Sequence, residues 1–166
     1  MLENIGHELY KSLIYDKRYM YILTGLKNTL IISLFAVIIG FLLGTIIALI
    51  NDSNEKNGNF KILSTLGRWY VNVIRGTPML LQLMIIYYVI FKSVDISPVL
   101  VGIIAFGLNS SAYVSEIIKS GINSVDTLQY ESALSLGFNY SKTMIYVILP
   151  QAIKNILPAL GNELVT

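Results

Sequence analysis

Between residues 28 and 51 the chain carries no charge, and the core of that run, residues 29–50 (TLIISLFAVIIGFLLGTIIALI), exceeds the ~20 apolar residues needed to cross a hydrocarbon layer about 30 Å thick. A retained spanning helix is the reading. A secretory signal would set a shorter apolar region close to a basic N-terminus, whereas residues 1–27 are mixed and carry Glu3, Glu8 and Asp16. Composition agrees: 54% of the residues are apolar or aromatic and only 13% are charged, where a soluble domain carries about a quarter. That excludes a two-domain soluble enzyme. The net charge of +2 supplies no basic field for nucleic acid. With no cysteine and one histidine, His7, there is no disulfide, no thiolate nucleophile and no His-cluster metal centre to consider.

Three more apolar stretches follow, and expected spans fall at about 28–50, 76–91, 96–115 and 143–166. The second is short, with Thr77-Pro78 as a helix-entry signal and Pro78 expected in the first turn. Residues before it can extend it as an interfacial turn. The third ends in Asn109, Ser110, Ser111 and Tyr113, polar groups that imply a protein-facing side. Pro150, Lys154, Pro158, Asn162 and Glu163 interrupt the fourth. Between the last two, residues 116–142 form a polar excursion outside the bilayer, longer than a tight helical hairpin needs. Six Lys and Arg residues lie in the stretches 52–75 and 116–142, against five on the opposite side. By the positive-inside rule this excess of one is a weak bias toward those stretches in the cytoplasm and the N-terminus outside.

Residues 131–150, ESALSLGFNYSKTMIYVILP, resemble the signature loop of ABC-importer permeases, E-A-A, three residues, G, nine residues, I-x-L-P. Glu131, Ser132 and Ala133 stand for E-A-A, Gly137 for the glycine, and Val147, Leu149 and Pro150 for I-x-L-P. Arg75-Gly76-Thr77-Pro78 with Leu80, Leu81, Gln82 and Leu83 is similar to the R-G-T-P-L-L-x-Q-L segment of the polar amino-acid permeases of the histidine/glutamine type. Residues 109–117 (NSSAYVSEI) are similar to that family's N-S-G-A-Y-V-A-E-I, with Ser111 for the glycine and Ser115 for the alanine, and 157–163 (LPALGNE) complete the resemblance. The resemblance implies an all-α membrane protein, an ABC importer permease-like helical bundle with a cytoplasmic coupling helix. The family has five spanning helices, so the final one is expected to be missing and the chain truncated. It also implies a multi-pass protein of the cell membrane that is not itself an enzyme and binds no cofactor, ATP being held by an ABC ATPase subunit. The further implied partners are an extracytoplasmic amino-acid-binding protein, a second permease chain (the same or a sister) and the lipid bilayer.

A permease must pass ATPase movement to helices in lipid, which calls for a short rigid element outside the membrane. Residues 126–136 suit it: Asp126 or Thr127 can N-cap a helix, and Gly137 can take the left-handed C-terminal position. Ala133 and Leu136, three apart, read as a docking face; an ordinary amphipathic surface helix is the plain alternative. Glu131, Ser132, Ala133, Leu136, Gly137, Leu149 and Pro150 are therefore the expected ATPase-coupling residues. Arg75 reads equally as an interfacial anchor or a gating residue. Gly40 and Gly44 form a G-x-x-x-G pair that implies close packing.

Candidate substrate contacts are Glu163, Asn162, Asn109, Ser110, Tyr113 and Gln82. A carboxylate in a spanning segment costs several kcal/mol unless paired or solvated, so Glu163 needs a partner. Taking Lys154 at the interface, about 1.5 Å per residue places Glu163 roughly 13 Å deeper. An acid there suits an ammonium or guanidinium group; an ion pair with a neighbouring helix, or water at a frayed terminus, would also satisfy it. Asn109, Ser110 and Tyr113 lie within about one helical turn and can serve a ligand or a neighbouring helix. A second function class, an intramembrane enzyme, would require Glu116 and Glu163 as acid and base or a serine nucleophile.

Overall fold

The computed structural model describes residues 10 and 14–163, so His7 and the last three residues of the expected fourth span lie outside it. Among the described residues every regular element is helical. After a 3₁₀ turn at Tyr15–Lys17, helix α1 runs unbroken from Tyr19 to Asn57. At about 1.5 Å per residue it measures close to 60 Å, roughly twice the hydrocarbon thickness. It outruns the expected span because Asn51, Asp52 and Ser53 are buried against neighbouring elements, not ending the helix in water. Gly58, at φ 71°, closes it by donating its N–H to the Asn54 carbonyl at 2.9 Å.

The expected second span holds one short helix, and the residues before it form a separate helix at a steep angle to it. Helix α2 (Lys61–Arg75) and helix α3 (Met79–Ile90) meet at 108°. Pro78 caps α3 in an extended conformation (φ −62°, ψ 134°) and does not sit in its first turn. Its missing N–H is harmless at that position. Helix α2 is two-sided, burying Ser64 and Val71 while exposing Ile62, Leu66 and Trp69. Helix α3, about 18 Å long by its rise, is shorter than a hydrocarbon layer.

Helix α4 (Pro98–Asn123) continues well past residue 115, so Glu116 belongs to it and not to a loop. Its buried side is lined by small residues, among them Gly102, Ala105, Gly107, Ser111, Ala112 and Ser115. These let α1 approach closely, and α1 with α4 forms the largest helix contact in the fold. A β-carbon on Gly40 would lie 2.7 Å from Ser110 Oγ, and one on Gly44 2.7 Å from the Ser111 carbonyl oxygen. The close packing expected of that pair is thus a near contact of two backbones.

Helix α5 (Thr127–Ser135) is a short crosspiece, and helix α6 (Tyr140–Glu163) returns along α4. A π-helical turn at Met144–Ile148 precedes Pro150, whose ring nitrogen cannot donate to the preceding turn. The apolar core gathers near α5, where Ala48 meets Val114, Ile118 and Ile122 of α4 and Met144, Ile148, Ala152 and Ile156 of α6.

Candidate functional site

A cavity of about 620 Å³ opens among α1, α3, α4 and α6. Four of the six candidate contacts line it: Asn109, Ser110 and Tyr113 from α4 and Glu163 from α6. The Ser110 side chain interacts with the Glu163 carboxylate. Among the described residues no ion pair involves Glu163. The opposite wall is a stripe of α1, Thr29, Ile32, Ser33 and Ala36, at i, i+3, i+4 and i+7. Thr29 and Ser33 escaped the sequence reading, although two hydroxyls four apart in an apolar helix were the available signal. The Thr29 hydroxyl donates to the Gly25 carbonyl at 3.0 Å. Chemically the cavity offers one carboxylate, hydroxyls and an amide between apolar walls, a setting for a ligand with a cationic group and a modest apolar body.

Gln82 and Asn162 do not line the cavity. Gln82 is 9% exposed and its amide is spent on the α2–α3 corner. Its Nε2 donates to the Ile74 carbonyl at 2.7 Å, the Thr77 carbonyl at 3.1 Å and Thr77 Oγ1 at 2.8 Å. Its Oε1 accepts from Asn109 Nδ2 at 3.1 Å. Gln82 thus repairs a break in the backbone, where carbonyls freed by the turn would otherwise be unsatisfied. It reaches the cavity only through Asn109.

Arg75 closes the same corner from the other side. Its Nη1 lies 2.9 Å from Glu116 Oε2, and its guanidinium sits 5.4 Å from the Tyr113 ring centroid. Asn109, Tyr113 and Glu116 occupy one face of α4, and the corner grips all three. Tyr70 adds a further tie, its hydroxyl lying 2.6 Å from the Leu108 carbonyl and 2.7 Å from Ser111 Oγ. The acid–base pair that an intramembrane enzyme would need is not assembled: Glu163 lines the cavity, whereas Glu116 is paired with Arg75 outside its lining.

At the far end, α5 has the expected caps. Asp126 accepts from the Leu128 N–H at 2.9 Å, and Gly137 adopts φ 82°. The expected docking face is not formed. Ala133 is 3% exposed, turned into the protein, while Leu136 is 80% exposed. Residues spaced three apart diverge here because the helix ends at Ser135 and Leu136 has left the helical turn. The outward groups on and beside α5 include Leu128, Glu131, Ser132, Leu134 and Leu136. Leu149 and Pro150 lie in α6 just after the π turn.

Residues 40–166 match the family of binding-protein-dependent transport system inner membrane components. An arginine transport system permease protein of Bacillus subtilis is 43% identical over 148 residues, covering 88% of this chain and 65% of that protein. An arginine transport system permease protein of Corynebacterium glutamicum is 35% identical over 178 residues, covering 99% of this chain and 54% of that one. The chain therefore spans between about half and two thirds of the length of these relatives. Among solved structures, the crystal structure of an amino acid ABC transporter with histidines superposes with a TM-score of 0.71 at 42% identity, over 86% of this chain and 69% of that one.

Proposed function

Because the chain belongs to the binding-protein-dependent transport system inner membrane component family, we propose that it serves as the permease subunit of an ATP-driven importer of polar amino acids. The observation that carries the reading is Glu163, a carboxylate lining a cavity whose other polar groups are hydroxyls, a phenol and an amide. Such a site favours an amino acid with a cationic side chain, because ligand charge then replaces the water the carboxylate loses. Two relatives are named as arginine permeases and others, at 40–42% identity, as putative glutamine permeases, so the names support polar amino acids as the class, and Glu163 is what favours the cationic ones. The walls come from four helices, so a change in the relative positions of α1, α3, α4 and α6 opens or closes the cavity.

In this reading α5 is the coupling helix, seating Leu128, Glu131, Leu134 and Leu136 against an ABC ATPase that holds ATP. An extracytoplasmic binding protein delivers the amino acid, and a second permease chain completes the transmembrane unit. Residues 52–75 and 116–142 face the cytoplasm and the N-terminus lies outside. Single-cysteine labelling tests this orientation cleanly, since the chain contains no cysteine. A cysteine at Asn57 should resist an impermeant reagent in intact cells and react after permeabilisation; labelling in intact cells would invert the topology. Function is tested with the complete transporter in proteoliposomes. Arginine should stimulate ATP hydrolysis and accumulate inside, and an ATPase rate indifferent to arginine and to every other polar amino acid would reject the assignment.

A further inference from the structure

Asp52 is 2% exposed, near one end of the longest helix in the fold, and it is not part of the cavity. A buried carboxylate is tolerated only when fully partnered, and its partners define what it holds together. Lys56, one turn on, places Nζ 2.9 Å from Asp52 Oδ1. The Tyr140 hydroxyl donates to Asp52 Oδ2 at 2.7 Å across a separation of 88 residues. The same Lys56 ammonium sits 4.8 Å from the centroid of the Tyr130 ring. Burial, and the nearby Asp52 charge, hold the Tyr130 phenol above the ordinary tyrosine range, in keeping with a neutral ring facing the cation.

Tyr130 lies on α5 and Tyr140 begins α6, so the two aromatic residues bracket the segment proposed to meet the ATPase. Both are fastened to α1 through one carboxylate and its lysine. Helix α1 has no break between Asp52 and the stripe Thr29, Ile32, Ser33 and Ala36 that forms a cavity wall. We infer that Asp52 is a positioning residue for transport, clamping α5 and the start of α6 to α1 so that displacement of α5 moves the α1 wall of the cavity. Without the clamp, α5 would reach α1 through its short connection to α4, which Lys119 ties to Glu55 of α1 at 2.6 Å near the solvent, and through the apolar contacts of α6. Those contacts are non-directional and let helices slide, whereas a charge-assisted hydrogen bond fixes register.

The inference rests on the importer reading, and two readouts separate them. In the complete transporter in proteoliposomes, arginine transported per ATP hydrolysed and arginine affinity are measured for the wild type, Asp52→Asn, Tyr140→Phe and the double variant. If the wild type shows no arginine-stimulated hydrolysis, the importer reading fails first. If it does, each single variant should lower the ratio by about tenfold or more, the factor supplied by one lost charge-assisted hydrogen bond, with arginine affinity unchanged. The double variant should be no worse than the worse single one, since both break the same link. A merely structural role would reduce yield or thermal stability and leave the ratio alone. Tyr140→Phe removes a single oxygen and decides the matter if Asp52→Asn does not assemble. A wild-type ratio in Tyr140→Phe overturns the clamp.

Discussion

Asp52 and Glu163 are both carboxylates set into helices with apolar surroundings, and they have opposite surroundings where it matters. Asp52 has a lysine at 2.9 Å and a phenol at 2.7 Å, so its charge is met from within the chain. Glu163 faces a cavity in which the other polar groups are neutral. An acid neutralised from within the chain joins elements; an acid that no ion pair among the described residues neutralises is, in the proposed reading, the receptor for the ligand's cation. The two ends share α1, which runs from the Asp52 clamp to the cavity wall.

The largest expected effect separates the two acids directly. Glu163→Gln keeps the size and the hydrogen-bonding capacity but removes the charge, so arginine binding should weaken by roughly 2 kcal/mol or more, about thirtyfold. Glutamine, having no side-chain charge, should lose far less. Equilibrium binding of both amino acids to the purified transporter checks this, and an equal loss for the two would remove the distinction drawn between the carboxylates.

Next in size is the seam between the two ends. Gly44→Ala would place a β-carbon 2.7 Å from the Ser111 backbone carbonyl and 2.8 Å from Val114 Cβ. Neither can swing away as a flexible side-chain tip could, so α1 and α4 must separate. Overpacking of this kind costs about 1–3 kcal/mol. Thermal unfolding in detergent should register it. Both the affinity for arginine and the coupling ratio should fall together, since α1 serves both ends. A change in one alone would show that the ends are not joined through α1.

Gly137 probes the clamped end without touching the cavity. At φ 82° a side chain costs roughly 1 kcal/mol or more, and nothing stands within 4 Å of a β-carbon there, so Gly137→Leu strains the turn without a clash. Coupling of ATP hydrolysis to transport should decline while arginine affinity holds. Wild-type coupling would mean that the α5 to α6 turn tolerates reshaping and that its geometry does not carry the motion.

What could be read in advance follows the same division. Helix α1 was legible because lipid solubility needs only composition, and Glu163 because an acid near a proline inside an apolar run has no solvent to blame. Asp52 was not legible: Asn51-Asp52-Ser53 reads as the polar end of a span, and its phenol partner lies 88 residues away. Gln82 reads from the sequence as a candidate substrate contact, whereas the backbone break it repairs instead is a tertiary fact. Ala133 was placed on an outward face by spacing alone, and burial against the rest of the chain reversed it. Periodicity identifies which residues share a helix side; it does not say what covers that side.

The smallest effect is expected at the α2–α3 corner, where Arg75 joins Glu116 at 2.9 Å and overlies Tyr113 at 5.4 Å. Both charged side chains are about two fifths exposed, so water screens the pair and its contribution to stability should stay below about 1 kcal/mol. Its bearing on the cavity runs through Tyr113, which lines the site and has the guanidinium against its ring. Arg75→Gln should therefore leave the melting temperature nearly unchanged and weaken arginine binding only about twofold to fivefold, the factor of a partly exposed cation–π contact. Arg75→Lys should restore part of that loss, since an ammonium can still pair with Glu116 but lacks the planar face that stacks on the ring. Glu116→Gln separates the two contacts: it removes the ion pair while leaving the guanidinium free to remain over Tyr113. If Glu116→Gln weakens binding as much as Arg75→Gln does, the ion pair orients the arginine and the ring contact depends on it. If it does not, the ring contact stands alone, and the corner reaches the cavity through Tyr113 and the Gln82–Asn109 hydrogen bond without help from the charge.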